Sequence, residues 1–443
     1  MRALLTPLAC AGLLAACGSS STRNVVETQG PNPALRAPQT SILPTVNVAK
    51  GTGWPAGKMP VAAAGLAVNE FAGALVHPRW LLQLVNGDVL VAESDSPGTD
   101  HTGGTIKGTI QGWLMNKAGS SKGSPNRIML LRDADGNGIA ESRSVLIDHD
   151  LYSPFGMAVV GGELFVANAT GLVAFPFAPG QAKVTAKPRL VTPLPSGYNH
   201  HWTKSLVASP DGRLLYVGVG SNSNVGENGL EMEKGRAAVW QIDPRTGRYA
   251  IFASGLRNPV GIDFNPWSGA LWVVANERDE LGNDLVPDYL TSVKKGAFYG
   301  WPFSYYGQHV DTRPPANPAM VAKAIPPDYA LGPHVAALGL TFSTGQKLGQ
   351  AFASGAFIGE HGSWNRKPAS GYQVVFVPFA GAMPVPGAKP VPILTGFRVG
   401  DTAYGRPVGV QIGKDGSLLV ADDVGGKVWR VSAAALPKQA ANH

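Results

Sequence analysis

Apolar stretches recur along the chain in pairs that are separated by a tight turn. Each copy starts with Pro or a polar residue, runs through one apolar stretch, and ends the second stretch in small or acidic residues. The turns carry residues that tolerate the positive φ of two-residue hairpins: Asn86-Gly87, Gly161-Gly162, Asp211-Gly212, Ser268-Gly269 and Asp415-Gly416. The pattern therefore predicts a β-hairpin in each copy.

The copies lie at 77–94, 153–170, 201–221, 257–277, 334–363 (a looser copy) and 405–423. A four-stranded propeller blade needs roughly 40–50 residues, and most of these starts are farther apart, so the extra residues are expected in loops. Helical periodicity is weak throughout. The sequence predicts an all-β fold, a six-bladed β-propeller over 61–435 with long inter-strand loops on the active face. We expect chain segments from both ends to close it.

Composition agrees with this class of protein. The 443 residues include 56 Gly and 36 Pro, only 15% are charged and 44% are hydrophobic, a balance that excludes coiled coils, collagen and disordered chains. The formal net charge of +7 is not concentrated in a basic block, so no nucleic-acid partner is expected. A mild positive excess would favour an anionic ligand or an acidic electron carrier.

The N-terminus is typical of an exported protein. Residues 1–16 join one positive charge at Arg2 to a short apolar run. Leu14-Ala15-Ala16-Cys17 resembles the bacterial lipoprotein box, in which Cys17 is lipid-modified; a plain secretory signal is the alternative. We expect a periplasmic protein attached to the membrane by its lipid anchor alone, with a flexible tether over 17–60 and a short tail over 436–443. Cys10 is the other cysteine, so the folded body has no thiol chemistry.

The first strand of each propeller blade lines the central channel. The residues that open the copies should therefore converge on one channel mouth: His77, Ser153, His201, Arg257, His334 and Arg406. The ends of the second strands should form a further ring: Glu93, Asn168, Ser221, Glu277, Glu360, His361, Asp422 and Asp423. A channel mouth with His and Arg side chains next to acidic residues indicates an active site. The alternative is that these polar residues at strand ends are simply solvated.

The absence of several common catalytic motifs limits the reactions that we expect of this protein. No phosphate-binding loop, H-E-x-x-H zinc site or G-x-S-x-G nucleophile elbow is present, and paired carboxylates for glycoside hydrolysis stay open. Residues 133–141 begin like a calcium loop, but position twelve is Ser144 rather than Glu, which excludes an EF-hand. A simpler Ca²⁺ loop and an acidic turn both stay open for its carboxylates and amide: Asp133, Asp135, Asn137 and Glu141.

Several strings are distinctive: "HHWTKSLVASPDG" (200–212), "GLRNPVGI" (255–262), "NERDELGNDLVPDY" (276–289), "FYGWPFSYYG" (298–307), "HGSWNR" (361–366) and "GRPVGV" (405–410). Over residues 65–432 the chain resembles the bacterial PQQ-dependent sugar dehydrogenases, in particular their L-sorbosone dehydrogenase-like branch, and more distantly the soluble glucose and aldose dehydrogenases. The resemblance implies an exported six-bladed propeller that holds PQQ and Ca²⁺ at the channel mouth. It implies oxidation of an aldose or sugar-derived aldehyde, with electrons passed to a cytochrome or quinone.

The resemblance also implies roles for individual residues. His201 matches the catalytic base, Arg257 and Asn258 match a pair that touches the quinone oxygens, and Arg406 matches an Arg that grips a PQQ carboxylate. Arg366 or Lys367 matches a cofactor-binding Lys. Glu277-Arg278-Asp279 stand where relatives hold Ca²⁺ with the carbonyls of a Gly-Pro step, so ligation by backbone or side chain is expected there.

Two features of the sequence depart from the family pattern, and a third has two interpretations. The acid that orients the catalytic His in relatives falls at Ser221, with Glu227 and Glu231 as substitutes, and the substrate loop of relatives has no counterpart in 96–108. The aromatic string at 298–307 predicts either a sugar-stacking wall or a buried plug. A calcium-dependent lactonase and a non-catalytic binding propeller are the alternative functions.

Overall fold

The computed structural model describes residues 20–39, 45–97, 117, 123–197 and 201–434. Strands make up 40% of the chain and helices 4%, which confirms the prediction of a nearly all-β protein. The helices of the described ranges are short: α1 (Pro318–Val321) and 3-10 turns at Val25–Thr28, Leu230–Glu233 and Gln350–Phe352. None of these helices is long and apolar enough to cross a membrane.

Three strands open the described chain: β1 (Lys50–Gly51), β2 (Val61–Ala62) and β3 (Leu66–Ala72). Six antiparallel sheets of four or more strands then follow one another within the described residues. The first sheet contains β4 (Pro78–Gln83), β5 (Val89–Glu93), β6 (Arg127–Arg132) and β7 (Ser142–Ile147). The second contains β8 (Met157–Val160), β9 (Glu163–Ala167), β10 (Gly171–Pro176) and β11 (Arg189–Pro193). The third contains β12 (Lys204–Ala208), β13 (Leu215–Val219), β14 (Ala238–Ile242) and β15 (Tyr249–Ser254).

The fourth sheet is interrupted by a small hairpin. It contains β16 (Asn258–Phe264), β17 (Leu271–Asn276), β18 (Pro287–Ser292) and β21 (Tyr329–Pro333), while β19 (Ser304–Tyr305) pairs with β20 (His309–Val310). The fifth sheet contains β22 (Ala337–Phe342), β23 (Gly355–Glu360), β24 (Gln373–Ala380), β25 (Met383–Pro384) and β26 (Val391–Thr395), together with β2. The short strands β27 (Arg398–Val399) and β28 (Thr402–Ala403) join β1 in a separate sheet.

The sixth sheet joins the two ends of the described chain. It contains β29 (Pro407–Ile412), β30 (Leu418–Asp422) and β31 (Lys427–Ala433), and its fourth strand is β3. Leu66 lies opposite Ala433 in this antiparallel pair. The first strands of the six sheets contact one another in a closed order, from β4 through β8, β12, β16, β22 and β29 back to β4.

Glycines allow the first strands to approach one another closely. A Cβ at Gly409 in β29 would lie 2.9 Å from the carbonyl oxygen of Arg79 in β4. A Cβ at Gly261 in β16 would lie 2.7 Å from the Cβ of Leu340 in β22. Only Gly leaves room at such distances, so these two positions have a packing reason for glycine.

Apolar side chains from neighbouring sheets fill the space between them. Trp80 and Leu90 of the first sheet pack with Phe155 and Leu164 of the second sheet region in one buried cluster. The alternation of the strands places these side chains on the faces that meet, while the strand ends are left for polar residues.

The segment predicted as a flexible tether packs against this body. The side chain of Gln29 donates to Leu331 O at 2.8 Å, Gly30 forms a β-bridge with Ala330, and Trp54 Nε1 donates to Asp422 at 2.6 Å. The tether prediction for 17–60 is therefore wrong for residues 20–39 and 45–60. The signal at 1–16, Cys17 and the tail at 436–443 lie outside the described residues.

Candidate active site

A cavity of about 270 Å³ lies where the starts of first strands and the ends of second strands meet. Its wall contains eight of the residues singled out by the sequence: His201, Arg257, Asn258, Glu277, Asp279, His334, His361 and Arg406. The structure thus brings together residues from four sheets. His77 and Ser153, which also open copies of the repeat, are buried and do not line the cavity.

Arg406 precedes β29 and is buried, with 3% of its surface exposed. Its guanidinium lies over the ring of Tyr372, 4.8 Å from the centroid, and donates to Tyr372 Oη at 3.1 Å. Its Nε has no hydrogen-bond partner, and no carboxylate of the described residues forms an ion pair with it. A buried cation without a counter-ion is costly, so this position suits an anionic ligand.

Arg257, at the start of the fourth sheet, is held more completely by the protein. Its guanidinium donates to Glu277 O at 2.7 Å, to Asn224 Oδ1 at 2.9 Å and to Asp279 Oδ2 at 3.2 Å. The neighbouring Asn258 donates to Asn276 Oδ1 at 3.3 Å and leaves its own buried Oδ1 without a partner. These contacts fix the orientation of the Arg-Asn pair at the cavity wall.

His201 is oriented by Ser221, the residue that stands where relatives have an acid. Nδ1 of His201 lies 3.0 Å from both the carbonyl oxygen and Oγ of Ser221. The carbonyl can only accept, and the Ser221 hydroxyl donates to Ser223 O at 2.6 Å, so Nδ1 carries the proton. The lone pair of the neutral ring is then on Nε2, which is the atom that a general base uses.

Glu227 and Glu231 were the predicted substitutes for the missing acid. The carboxylate of Glu227 accepts from the backbone amides of Asn224 and Val225, and Glu231 is exposed on a 3-10 turn. Ser221 provides the hydrogen bond for which these acids were predicted. His200, next to the catalytic candidate, lies outside the described residues.

His334 lies between a backbone carbonyl and the carboxylate of Asp279. Its Nε2 lies 3.0 Å from Gly282 O, and its Nδ1 lies 3.6 Å from Asp279 Oδ1. Burial disfavours the charged ring, but the hydrogen bond and charge of Asp279 outweigh it and raise the pKa of His334. The surroundings of His334 therefore favour the protonated ring beside Asp279.

His361 belongs to a second buried cluster at the cavity wall. Its Nε2 lies 2.9 Å and 3.2 Å from the two oxygens of Asp423, and Arg79 donates to the same carboxylate at 2.5 Å. Burial opposes ionisation of Asp423, but the hydrogen bond from His361 and the charge of Arg79 hold its pKa well below the ordinary value. The carboxylate accepts from Nε2, so the lone pair of neutral His361 is on Nδ1.

The three residues predicted as the metal site have side chains in two different places. Glu277 and Asp279 line the cavity, and Glu277 Oε1 is buried without a partner. Arg278 does not line it, because its buried guanidinium pairs with Glu277 at 2.9 Å and with Asp311 at 3.1 Å. The side chain of Arg278 therefore does not belong to a metal site, whereas Glu277 Oε1 at the cavity wall is an oxygen of the kind that binds a hard cation.

Arg366 and Lys367, predicted to bind the cofactor, lie away from the cavity. Arg366 is buried and donates to Asn283 O at 3.0 Å, to Pro368 O at 2.7 Å and to Asp284 at 3.1 Å. Lys367 is exposed and does not line the cavity. The prediction is wrong for both residues, since Arg366 anchors a loop and Lys367 faces solvent.

Several side chains of the predicted second ring have a structural role. Glu93, Asn168 and Asp422 accept from the backbone amides of Val76, Tyr152 and Arg406, respectively, just before the first strand of their own sheet. Asp288 of the fourth sheet, which the sequence reasoning missed, accepts at 2.7 Å from the amide of Ala336, just before the first strand of the fifth sheet. Burial raises the pKa of Asp288 to about 7. These bonds fix the strand starts that carry the cavity residues.

The predicted calcium loop lies outside the cavity wall. Ligand atoms of Asp133, Asp135 and Glu141 lie within 4.8 Å of one another. The Asp133 carboxylate also accepts from the amides of Gly136, Asn137 and Gly138, as in an acidic turn. Both interpretations of this loop fit the geometry, and the calcium loop stays a prediction.

The aromatic string at 298–307 forms a buried plug, which was the second of its two interpretations. Tyr299, Trp301, Tyr305 and Tyr306 are each at most 8% exposed and do not line the cavity. Sequence reasoning missed several residues that do: Arg79, Asp95, Trp202, Asn276, Trp364 and Asn365. Trp364 and Asn365 stand inside the distinctive string "HGSWNR", which was the available signal.

Unpartnered polar atoms show what the cavity can hold. Four buried oxygens of its wall have no hydrogen-bond partner: Asp95 Oδ2, Asn258 Oδ1, Glu277 Oε1 and Asn365 Oδ1. Such atoms are rare in folded proteins. The oxygens suit a hard cation such as Ca²⁺, and Arg406 suits a carboxylate. The residues present therefore fit both predicted cofactors, PQQ and Ca²⁺.

Solved structures of several carbohydrate-active proteins share this fold. A Trichoderma reesei protein of carbohydrate-active enzyme family AA12 has a TM-score of 0.68 at 20% identity, covering 85% of this chain and 98% of its own. The PQQ domain of Coprinopsis cinerea pyranose dehydrogenase has a TM-score of 0.66 at 21% identity, over 87% and 100%. The apo aldose sugar dehydrogenase of Escherichia coli has a TM-score of 0.54 at 18% identity, over 83% and 100%. This chain thus has the same all-β fold as these proteins.

A sequence model of the TrAA12-like family matches residues 121–293 and 310–434. The chain belongs to the TrAA12-like family. It is 24% identical to the PQQ-dependent pyranose dehydrogenase of Coprinopsis cinerea over 437 residues, covering 83% of this chain and 54% of that protein. It is 33% identical to an uncharacterized protein of Borreliella burgdorferi over 225 residues, 49% of this chain and 56% of the other. The chain thus spans about half the length of these curated relatives.

Proposed function

We propose that this protein is a PQQ- and calcium-dependent dehydrogenase that oxidises an aldose or a sugar-derived aldehyde. The observation that carries the proposal is Arg406, a guanidinium that lines the cavity at 3% exposure without an ion-pair partner among the described residues. An anion bound beside it would relieve the cost of burying this charge. PQQ, when bound there with Ca²⁺ as Lewis acid, supplies the hydride acceptor.

Three residues would hold PQQ in this proposal. The fork of Arg406 would pair with a cofactor carboxylate. Arg257 and Asn258 would contribute a fixed cation and an amide toward the quinone oxygens, because their other contacts already lock their orientation. Glu277 and Asp279 would provide oxygen ligands for Ca²⁺, beginning with the unpartnered Glu277 Oε1.

His201 would act as the general base. The hydroxyl of the sugar, or of an aldehyde hydrate, would give its proton to Nε2, while hydride leaves the same carbon. Ser221 would hold the tautomer that this step requires, and positioned proton transfer is worth ~10²–10⁴ in rate. His361 has a carboxylate behind it, which makes it the alternative base.

The relatives support sugar oxidation as the reaction class. The Coprinopsis cinerea relative is named a PQQ-dependent pyranose dehydrogenase, and an Escherichia coli relative, 33% identical over 105 residues covering 23% of this chain and 27% of that protein, is named an aldose sugar dehydrogenase. The proposal that the chain belongs to the L-sorbosone dehydrogenase-like branch rests on the six distinctive sequence strings between residues 200 and 410 alone.

We also propose the domain organisation, the cellular location and the electron acceptor that the sequence predicts. The six sheets and the closed order of their first strands support a six-bladed β-propeller as one catalytic domain over 61–435. Export to the periplasm and lipidation of Cys17 rest on residues 1–17. A cytochrome or quinone would then accept the electrons.

Reconstitution tests the proposed function. The purified protein is incubated with PQQ and Ca²⁺, and dye reduction is followed over a panel of aldoses and sugar aldehydes, with lactone hydrolysis measured in parallel. We expect dye reduction that needs both PQQ and sugar. Lactone hydrolysis that needs Ca²⁺ but not PQQ, or no PQQ-dependent dye reduction with any sugar, would overturn the proposal.

A further inference from the structure

One loop of the third sheet, which follows β13, contacts both His201 and Arg257. At its start, the carbonyl oxygen and Oγ of Ser221 each lie 3.0 Å from His201 Nδ1, and the amide of Ser221 donates to Arg257 O at 2.8 Å. At its end, Asn224 O and Oδ1 accept from the Arg257 guanidinium at 3.1 Å and 2.9 Å. The segment 221–224 therefore fixes the orientation of two cavity residues at once, and we call it the clamp loop.

The middle of the clamp loop is held by Glu233. This residue ends the 3-10 turn Leu230–Glu233, is 9% exposed and does not line the cavity. One oxygen of its carboxylate accepts from the amide of Asn222 at 2.7 Å, and the other accepts from Ser223 Oγ. Because both oxygens accept, these contacts are those of an ionised carboxylate, even though burial raises the pKa of Glu233.

The contacts of Glu233 continue to His201 through two serines. Ser223 O accepts from the hydroxyl of Ser221 at 2.6 Å, so this hydroxyl donates away from His201 and leaves its oxygen to accept from Nδ1. If the peptide of Ser223 turned, the Ser221 hydroxyl could donate to Nδ1 and favour the other tautomer of the ring. Glu233 opposes that turn, because it bonds both the amide of Asn222 and the side chain of Ser223.

We propose that Glu233 is a positioning residue that holds both His201, the proposed base, and Arg257, the cation proposed for the quinone oxygens, through the clamp loop. The inference rests on the proposed function for the roles of these two residues. It adds that they are coupled, so that one substitution outside the cavity should disturb both. Outer contacts that orient the ligands of metal sites change affinity or activity about 10–100-fold, and the same reasoning applies to an oriented base.

The test removes Glu233 and, as a matched control, an acid outside the cavity wall. The carboxylate of Glu163 also accepts two hydrogen bonds, both from Arg189 in the second sheet. Glu233→Ala, Glu233→Gln and Glu163→Ala are made in the full chain, and thermal melting checks that each variant folds. Nitrogen NMR of cofactor-free protein carrying isotope-labelled histidine reports the tautomer of His201, whose signals are identified by their loss in His201→Asn. Calorimetric titration gives the Kd for PQQ, and steady-state kinetics give kcat and KM.

We expect one neutral tautomer of His201, with the proton on Nδ1, in wild type and Glu163→Ala, and a mixture of both tautomers in Glu233→Ala. In Glu233→Ala, kcat should fall about tenfold with KM within about twofold, and the Kd for PQQ should rise about threefold. Glu233→Gln should give intermediate values, because its amide oxygen can still accept from one of the two donors.

A single tautomer with the proton on Nδ1 in Glu233→Ala, or equal effects in Glu233→Ala and Glu163→Ala, would overturn the positioning role. A changed tautomer with an unchanged Kd for PQQ would overturn the coupling to Arg257. If Glu233→Ala does not fold, Glu233→Gln decides, and an unchanged tautomer of His201 there overturns the role. The tautomer is measured without cofactor, so mixed tautomers in Glu233→Ala together with no PQQ-dependent turnover in wild type would overturn only the proposed function.

Discussion

Arg406 and Arg366 are both buried guanidiniums, but their surroundings are opposite. Arg406 has no ion-pair partner among the described residues, whereas Arg366 pairs with Asp284 at 3.1 Å. Removing an uncompensated buried charge relieves a desolvation cost, and removing a paired one leaves its partner unpaired. The two arginines therefore separate a ligand-binding role from a structural role.

We predict that Arg406→Gln weakens PQQ binding at least about tenfold, since a charge-assisted hydrogen bond is worth about 1.5–3 kcal/mol. The melting temperature of the cofactor-free protein should stay equal or rise. Arg366→Gln should lower that melting temperature and leave the Kd for PQQ within about twofold. Calorimetric titration and thermal melting measure both quantities, and the reverse assignment of effects would contradict this account of the cavity.

Histidine replacements distinguish the two candidate bases. His201→Asn keeps a donor near Ser221 but removes the base, so kcat should fall by ~10²–10⁴ while PQQ still binds. His361→Gln keeps a donor toward Asp423 and should reduce kcat less than about tenfold. Steady-state kinetics at saturating sugar measure the effects. A larger loss in His361→Gln than in His201→Asn would transfer the role of base to His361.

Glu360 gives the protein a pH-dependent stability. Burial raises the pKa of Glu360 to about 8, although Gln373 donates to the carboxylate at 2.9 Å. The folded state therefore binds this proton more tightly than the unfolded state. The contribution is fully present below the ordinary pKa and is lost as pH rises toward about 8, at about 1.4 kcal/mol per pH unit.

Glu360→Gln should remove this contribution, because the amide resembles the protonated acid. Denaturant unfolding in a chelator at pH 6 and pH 9 measures the change. We expect the free energy of unfolding to fall more between these two pH values in wild type than in the variant. An equal fall in both proteins would show that Glu360 ionises in the folded state with an ordinary pKa.

At the scale of elements, the hairpins were predictable because their turns are local. Asn-Gly and Asp-Gly steps specify tight turns from sequence alone, and the predicted turn at Asp415-Gly416 lies between β29 and β30. The N-terminal segment was not predictable in this way. Its contacts are scattered bonds and short strand pairs, such as Gln29 to Leu331 O and β1 to β28, which leave no periodic pattern of apolar residues.

The directions of the side chains at the site also leave no pattern in the sequence, and this limited the prediction of the site. The repeat phase predicted that Arg406 and His201 would converge, because both precede the first strand of a sheet. Arg366 lies in a distinctive string, but no periodicity specifies that its guanidinium turns toward Asn283. Acids at strand ends could not be sorted into ligands and backbone acceptors without the geometry of the neighbouring strand.

The close approach of first strands gives a prediction about stability. Gly409→Ala should lower the melting temperature by several degrees, since a Cβ 2.9 Å from Arg79 O forces β29 and β4 apart. Gly171→Ala is the matched control, because the nearest atoms there, Leu190 Cδ1 and the carbonyl oxygen of Thr192, are both 3.3 Å away and need to move less. Equal melting temperatures for the two variants would contradict this account of the strand contacts.

At the scale of the whole molecule, the closed order of six first strands brings residues from five sheets to one cavity. β3 joins β31, so the last sheet needs both ends of the described chain. The fold thus positions charged residues that are distant in sequence, and no carboxylate of the described ranges compensates the buried charge of Arg406. This is the central reason for proposing an anionic quinone cofactor.

The most direct test of that claim is an anaerobic single-turnover measurement. Purified protein is loaded with PQQ and Ca²⁺, freed of excess cofactor and mixed with a pyranose, and the absorbance of the bound cofactor is followed. The account predicts that PQQ stays with the protein and that its spectrum changes to that of the reduced quinol on adding the sugar. Loss of PQQ during removal of the excess, or a bound spectrum unchanged by every sugar tested, would contradict it.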